Sequence, residues 1–342
     1  MFLKVCNEND LEIVVVADTL DYKGADLDWL DRRIDRPDKH YVKQMIEALQ
    51  SSYQNVTLYT NPIDFQANIE KHYQSLVLPY WFGENSRNRH ALVPAICETN
   101  NIRYMGGDIY TKTVCNDKAL SKILCKKAGL RVADDVTIYD LNDIKKLSLL
   151  NYPCVVKPFF EGTSLGITQK NLVEDVDSAT NLSLKLLEEF SQPILVEEFV
   201  AGKEVSICLL GWKEHISHWH AAERYRKDDE NYFYSHLYGY HEKKSKEYNL
   251  ALRSVKKDID APLLQSCQRI FSWLDKVEYI RIDGKLHNNV FTVLELTPET
   301  HLGANAEFCG TLAFEELTYK EILSLMVNNS LMRYQNLNSN LK

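Results

Sequence analysis

The sequence lacks the usual marks of a secreted, membrane-bound or nucleic-acid-binding protein. Its eight cysteines form no CxxC pair, which disfavours a disulfide framework or a zinc ribbon and predicts reduced thiols. No apolar run approaches the length of a membrane span, and the run at residues 13–17 follows acidic residues, unlike a signal peptide. The formal net charge of -8 lacks the basic excess that nucleic acid attracts. We therefore expect a cytoplasmic protein without a membrane or nucleic-acid partner.

The first hundred residues alternate short apolar runs with amphipathic helical patterns. Strands are predicted at residues 11–17, 56–60 and 75–82, and helices at 37–51, 63–73 and 90–100. This βαβ order is typical of a parallel sheet. With 342 residues, of which 45% are hydrophobic, the chain is long enough for two or three subdomains. We predict an α/β (α+β) protein with three units, at residues 1–107, 108–200 and 201–342.

A lysine and a glycine-containing loop follow the predicted strand at residues 153–158. Lys157 lies near the end of this strand, and Gly162, Thr163, Ser164 and Gly166 come soon after it. Because glycines leave backbone N–H groups unhindered and hydroxyl groups add donors, this loop suits a polyphosphate. The alternative is an ordinary surface turn, since anion-binding loop conformations are common.

An acidic pair lies at the end of a later strand. Glu197 and Glu198 precede a turn, and Glu204 follows it. Carboxylate and backbone groups can accept hydrogen bonds from an adenine amino group, and Glu204 can accept them from ribose hydroxyls. Without the neighbouring loop, the same pattern would indicate a solvated surface.

Two alternating apolar runs, 279–283 and 290–295, flank a turn rich in Gly and Asn and predict a hairpin. Strand periodicity places Arg281 and Asp283 on one face, and Glu295 can converge with Asp283 from the partner strand. Two carboxylates beside phosphates are what Mg²⁺ requires, because this ion shares the oxygens of the nucleotide. The alternative is a set of surface ion pairs.

In this order and at this spacing, the three segments resemble the ATP-grasp fold, and specifically the D-alanine–D-alanine ligases, over residues 104–327. The resemblance implies an ATP-grasp fold with an N-terminal parallel-sheet (pre-ATP-grasp, Rossmann-like) domain. It also implies an ADP-forming ligase that joins a small-molecule carboxylate to an amine through an acyl-phosphate. ATP and Mg²⁺, with Mn²⁺ as an alternative ion, are the implied cofactors, and a homodimer is the implied assembly. The basic and aromatic residues at 224–246, here called the lid segment, are better explained by a lid over ATP than by a nucleic-acid site.

Residue roles follow from the same resemblance. It implies nucleotide contacts from Lys118, Lys157, Glu161, Thr163, Ser164, Glu197, Glu198, Val200 and Glu204. It implies catalytic roles for Arg281, Lys243 and Gly303, and metal ligation by Asp283, Glu295 and Thr297. Lys243 would contact phosphate, whereas Arg281 and N–H groups near Gly303 would stabilise the oxyanion that forms when the amine attacks.

The departures from the family lie mostly in its substrate half. Thr297 replaces an asparagine ligand, which leaves Glu299 as an alternative ligand, and Lys244 replaces a tyrosine. The family's N-terminal glycine-rich motif with its glutamate is absent after the first strand, and residues 303–306 lack the expected serine. We therefore expect amino-acid substrates other than D-alanine plus D-alanine. A genuine D-alanine–D-alanine ligase and a non-catalytic, ATP-binding regulatory module are the alternatives.

Overall fold

A computed structural model of the chain describes residues 11–22, 27–83 and 86–339. The N-terminal unit is a parallel sheet in the order β2-β1-β3-β4, which confirms the predicted βαβ pattern. Its elements are β1 (Glu12–Ala17), α1 (Lys39–Gln50), β2 (Asn55–Tyr59), α2 (Pro62–Ala67), β3 (Leu76–Tyr80), α3 (Leu92–Thr99) and β4 (Arg103–Tyr104). Since β1 is covered on both faces, nearly all of its residues are buried, as in most parallel sheets.

A helical pair leads from this sheet into the rest of the chain. The next elements are α4 (Ile109–Asn116), α5 (Lys118–Ala128) and β5 (Arg131–Val132). Gly129 ends α5 in the left-handed region, with φ of 89°, a helix cap that glycine adopts readily because it has no Cβ.

The central unit contains a four-stranded antiparallel sheet in the order β6-β9-β7-β8. Its elements are β6 (Asp135–Ile138), β7 (Cys154–Pro158), β8 (Leu172–Val173), α6 (Val176–Phe190) and β9 (Ile194–Glu198). Ile34, from the N-terminal part of the chain, is fully buried in the core of this unit, with Leu27 and Trp29 packed beside it. Residues 27–36, here called the strap, therefore join the first unit to the second.

The C-terminal unit contains a six-stranded sheet in the order β12-β11-β10-β13-β14-β5. Its elements are β10 (Lys203–Trp212), β11 (His215–Arg226), α7 (Tyr240–Lys244), β12 (Leu250–Ser254), α8 (Ala261–Leu274), β13 (Tyr279–His287), β14 (Val290–Thr297), α9 (Glu307–Leu312) and α10 (Tyr319–Ser339). The predicted hairpin is β13–β14, but its turn is shorter than expected. Only Asn288 and Asn289 lie between the strands, both with positive φ.

The three sheets support the three-part division as a proposal, with one difference. The helices α4 and α5 share an apolar core with α8 and the six-stranded sheet, in which Cys115 and Cys125 pack with Phe271. The apolar side chains of residues 109–128 therefore pack with the C-terminal unit, whereas Lys118 and Lys122 of α5 contact the central one. The thiols of the seven cysteines within the described ranges are free, and Cys6 lies outside those ranges.

The C-terminal helix closes the core of the N-terminal unit. Met326 and Val327 of α10 are fully buried in one cluster with Leu76 of β3. No helix was predicted for this part of the chain. Within the described ranges, every helix is too short or too polar to cross a membrane.

Candidate active site

A cavity of about 750 Å³ opens between the four-stranded sheet of the central unit and the six-stranded sheet of the C-terminal unit. Strands from both sheets supply side chains to its wall, namely Lys157, Glu197, Glu204, Asp283 and Glu295. The structure thus brings together the acidic and basic residues of all three predicted segments. The strap and the loop after β14 line its other end.

A buried carboxylate lies between two lysines on the floor of this cavity. Glu197 lies 2.5 Å from Nζ of Lys157 and 2.6 Å from Nζ of Lys122. Burial alone would raise the pKa of Glu197, but the two ammonium groups lower it to about 2. Glu197 is therefore a charged anchor that fixes Lys157, since an ion pair of this kind holds both partners in place.

The neighbouring residues offer different groups to a nucleoside. Val200 lines the cavity, whereas the carboxylate of Glu198 accepts hydrogen bonds from the backbone and side chain of Asn151, both at 2.8 Å. The backbone N–H groups of Glu198 and Phe199 already donate to the carbonyls of Asp134 and Pro153, so the predicted adenine contact falls on Val200. Glu204 faces the cavity and pairs with Lys285 at 2.8 Å.

Two hydroxyl groups attach the loop after β7 to neighbouring segments. Thr163 and Ser164 both have positive φ, at 49° and 59°, a conformation that side chains adopt at a cost. The Thr163 hydroxyl donates to Asp35 of the strap at 2.5 Å, and the Ser164 hydroxyl donates to the carbonyl of Tyr238 at 2.9 Å. Gly166 is required nearby, because a Cβ there would lie 2.7 Å from Pro158.

Two predicted nucleotide contacts lie behind this loop instead of in the cavity wall. The Lys118 ammonium donates to the carbonyls of Phe159 and Glu161, at 3.1 and 2.6 Å, and lies 3.6 Å from Glu295. Burial lowers the pKa of Lys118, against the opposing effect of Glu295. The Glu161 carboxylate binds Arg89 and Gln192, so it supports the loop and does not face the cavity.

Asp283 and Glu295 are direct partners in the β13–β14 register. Arg281 donates to both oxygens of Asp283 at 2.7–3.0 Å, while Ser206 and Thr297 donate their hydroxyl hydrogens to it. Burial opposes the charge on Asp283, yet Arg281 lowers its pKa. Arg281 also donates to Thr300 at 2.9 Å.

These residues fit one divalent ion that shares oxygens with a nucleotide. Among the described residues no group of three His, Cys, Asp or Glu side chains could hold an ion alone, but Mg²⁺ commonly uses one or two carboxylates plus phosphate oxygens. Asp283 and Glu295 supply the two carboxylates, and the Thr297 hydroxyl lies beside them. Glu299, the alternative ligand, also lines the cavity. It lies 3.5 Å from Lys112, and its buried Oε1 has no hydrogen-bond partner among the described residues.

Two lysines of α7 face the cavity without an acidic partner among the described residues. Lys243 lies over the ring of Tyr238, at 4.8 Å, and Lys244 over the ring of Tyr22, at 3.8 Å. Desolvation in the cleft, together with Arg281, lowers the pKa of Lys243. Desolvation and the charge of Lys243 lower the pKa of Lys244 to about 8. Both are available for an anionic ligand.

The far end of the cavity is rich in rings. Phe82 stacks on His301, with ring centres 4.8 Å apart, and contacts His90 edge-on. Burial lowers the pKa of His301 to about 4, so this imidazole is neutral at pH 7. Asp35 pairs with Arg89 at 3.1 Å in the same region.

The resemblance implied that N–H groups near Gly303 would stabilise the oxyanion, but Gly303 is not among the residues that line the cavity. The backbone N–H of Leu302 donates to the hydroxyl of Tyr80 in the N-terminal unit, and Gly303 packs against the ring of Tyr41. The loop turns back only later, where Asn305, Ala306 and Glu307 line the cavity. Glu307 is paired there with Arg224 of β11.

Sequence reasoning missed Asp35, Lys285 and Glu307, and it placed Arg224 in the lid segment, whereas the structure places Arg224 in β11. Lys285 had a usable signal, because it continues the alternation of Arg281 and Asp283 on β13. Asp35 and Glu307 had none, since each meets its partner only through the tertiary fold. The contact between Asp35 and Thr163 joins residues 128 positions apart.

Comparisons with known proteins point to one family. A family model described as the D-ala D-ala ligase C-terminus matches residues 124–328. A D-alanine–D-alanine ligase from a Thermoanaerobacter species is 32% identical over 142 residues, which span 40% of this chain but only 38% of that relative. Another, from Halalkalibacterium halodurans, is 29% identical over 259 residues, 70% of this chain and 77% of the relative.

A solved structure shares the whole fold. The D-alanine–D-alanine ligase from Bacillus anthracis, in complex with ATP, superposes with a TM-score of 0.69, covering 95% of this chain and 99% of that one at 14% identity. At this identity the likeness concerns the fold alone, and it confirms the predicted ATP-grasp class. Because the family model covers more than half of the sequence, the chain belongs to the D-alanine–D-alanine ligase family of ATP-grasp proteins.

Proposed function

We propose that the protein is an ATP-dependent, ADP-forming ligase that joins a carboxylate to an amine. The observation that carries this proposal is the single cavity that joins a nucleoside end, at Glu197 and Glu204, to a charged end at Asp283, Arg281 and Lys243. A triphosphate laid along it would pass beneath the loop at 163–164. Its terminal phosphoryl group would then meet Lys243, which has no acidic partner within the described ranges.

The reaction has two steps. A carboxylate oxygen of the donor forms a bond to the γ-phosphorus while the bond to the bridging oxygen breaks, which yields an acyl-phosphate and ADP. The amine nitrogen of the acceptor then bonds to the acyl carbon, the bond to phosphate breaks, and the nitrogen gives up a proton to solvent. Fixed positive charges near the reacting groups stabilise the charge that develops.

The side chains divide these tasks according to their contacts. Lys157, fixed by Glu197, binds phosphate oxygens, and Lys243 neutralises the terminal group. Arg281 is held by Asp283 and Thr300, so its position is fixed before the oxyanion forms, which avoids reorganisation during the reaction. Closure of the lid segment would exclude water that could hydrolyse the acyl-phosphate.

We further propose that Asp283 and Glu295, with the Thr297 hydroxyl beside them, hold Mg²⁺ or Mn²⁺ together with nucleotide oxygens. The ion would neutralise part of the phosphate charge. The two carboxylates are adjacent in the strand register, which supports a site of this kind.

We also propose that the substrates are amino acids other than two D-alanines. Residues 303–306 lack the serine that the resemblance implies there. Asn305 and Ala306 of this segment line the cavity beside Glu307, which pairs with Arg224. A genuine D-alanine–D-alanine ligase is the second candidate, because the named relatives carry that activity in their names. A cytoplasmic homodimer is the expected form of the protein.

The test is an ATP-consumption screen over pairs of D- and L-amino acids and simple carboxylates. We expect phosphate release that requires both a donor and an acceptor, and a product mass equal to their sum minus water. Asp283→Asn is the matched inactive control. ATP binding without phosphate release for any pair would instead support the regulatory module, and dipeptide formed only from D-alanine would support the second candidate.

A further inference from the structure

Three charged side chains form one row across the floor of the cavity. In the strand register, Glu204 of β10 is paired with Arg224 of β11 on one side and with Lys285 of β13 on the other. All three line the cavity. Arg224 is directed away from Glu204 to Glu307, so Lys285 is the cation that binds Glu204.

The Lys285 ammonium has no capacity left for a phosphate. It lies 2.8 Å from Oε2 of Glu204 and donates to the carbonyls of Phe233 and Gly202, at 2.8 and 3.5 Å. A lysine has three N–H donors, and these three acceptors use all of them. The side chain is also almost completely buried, with 4% of its surface exposed. Its role must therefore be exerted through the groups it holds.

One of those groups is Glu204. Lys285 lies against Oε2, no hydrogen bond to Oε1 occurs among the described residues, and Glu204 lines the cavity. Oε1 is therefore the oxygen that remains for a sugar hydroxyl. Without the ammonium, the carboxylate would lie beside the carbonyls of Phe233 and Gly202, which would repel it. Glu204 would then turn away from a bound sugar.

The other group is the lid segment. Phe233 is buried, with 3% exposed, and belongs to a short 3-10 turn at Tyr232–Tyr234. Its carbonyl reaches Lys285 across the sheet, and its ring lies 5.7 Å from the same ammonium. The lysine thus joins the lid backbone to the carboxylate that faces the sugar.

We propose that Lys285 is a positioning residue that orients Glu204 toward the sugar hydroxyls of the nucleotide and couples their recognition to docking of the lid segment at Phe233. This inference rests on the proposed function only in that the cavity binds a ribonucleotide. It requires no ligation chemistry and assigns Lys285 no contact with the reacting groups.

The test compares the affinities for ADP and 2′,3′-dideoxy-ADP, each with Mg²⁺, by calorimetry. We expect the native protein to prefer ADP by at least about tenfold, the range for hydrogen bonds to a charged group. Lys285→Met should reduce this preference to within about twofold. The matched control is Lys203→Met, on the adjacent strand, whose ammonium binds Asp258 at 3.3 Å outside the cavity, and it should keep the full preference.

Two further measurements separate positioning from general damage. In a Glu204→Gln background, Lys285→Met should have no additional effect on the sugar preference, because the group it orients is already gone. Hydrogen exchange at residues 232–234 should slow on ADP binding in the native protein and in Lys203→Met, but not in Lys285→Met.

The outcomes are distinct. An unchanged sugar preference together with unchanged exchange protection in Lys285→Met overturns the inference. ADP binding with the expected pattern but no amide product in the screen would overturn the proposed function and leave this inference standing. Thermal unfolding of each variant confirms that the folded state is being compared.

Discussion

At the residue scale, Asp283 is the side chain on which most of the proposed chemistry depends. Arg281, Ser206 and Thr297 all donate hydrogen bonds to its carboxylate. Because Arg281 lowers its pKa despite burial, the carboxylate remains charged at neutral pH. Its charge both orients Arg281 and would bind the ion.

We predict that Asp283→Asn lowers kcat by at least about 10²-fold, the scale of losing one preorganised charge-stabilising group. The amide keeps the shape of the side chain but not its charge. Steady-state phosphate release with the substrate pair from the screen measures this. The control is Asp258→Asn, on the surface, which should retain normal kcat. Near-normal turnover in Asp283→Asn would remove this residue from the mechanism.

Glu197 leads to a prediction about stability, because it is buried between Lys122 and Lys157. Its folded pKa of about 2 is lower than the ordinary glutamate value of 4.5, so its stabilising effect is present above about pH 4.5 and is lost as the pH falls toward 2. Glu197→Gln leaves both lysines without this partner and should lower the free energy of unfolding by roughly 3 kcal/mol at pH 7.

Urea unfolding across this pH range measures the effect of Glu197. The difference between the native protein and Glu197→Gln should shrink steadily below about pH 4.5. A difference that stays constant from pH 7 to pH 2.5 would contradict the assignment of a charged Glu197. Glu198→Gln, whose carboxylate is bound by an asparagine on the surface, should show little change.

At the scale of elements, the β13–β14 hairpin and the loop after β7 show what a sequence can and cannot reveal. Alternation predicted correctly that Asp283 and Glu295 converge, since pairing in a sheet follows from a period of two. The register shift after Asp283 and the extension of β13 through Lys285 were missed, because Gly284 and the asparagines resembled a longer turn. Thr163 was found from its motif, but its partner Asp35 was not, because the strap reaches it only in the folded chain.

The contact between the strap and the loop after β7 leads to a prediction about ATP binding. The hydrogen bond from Thr163 to Asp35 holds a residue whose φ of 49° is otherwise unfavourable. Thr163→Val removes the hydroxyl at constant shape and should raise the KM for ATP by about tenfold, as expected for a lost bond to a charged group. Thr163→Ser keeps the hydroxyl and should behave like the native protein.

Asp35→Asn tests whether the hydrogen bond from Thr163 to the strap is the contact that supports ATP binding. If it is, Asp35→Asn should raise the KM for ATP, and the double variant with Thr163→Val should be no worse than the more damaging single variant. Fully additive effects would show that the two residues act independently, and the strap would then have no role in holding the loop.

At the scale of the whole molecule, the three units are joined by segments that cross between them. The strap packs in the core of the central unit, and α10 closes the core of the N-terminal unit. Sequence patterns identified the first sheet well, because buried parallel strands are continuous apolar runs. They placed α4 and α5 with the central unit, whereas the two helices share an apolar core with α8 and the six-stranded sheet, because which core a helix joins depends on contacts distant in sequence.

The charge of the cavity as a whole predicts how ATP affinity changes with pH. Lys244 faces the cavity with a pKa of about 8, lowered by desolvation and by Lys243, so it loses its proton as the pH rises through this value. A triphosphate stabilises the protonated form, and its affinity should therefore fall as the pH rises from 7 to 9, with proton uptake on binding near pH 8.

Calorimetry in buffers of different ionisation enthalpy measures both the affinity and the proton uptake. Lys244→Met should remove most of this dependence, whereas Lys227→Met, exposed in the same lid segment, should retain it. An equal decline of affinity in all three proteins would show that the titrating group is not Lys244.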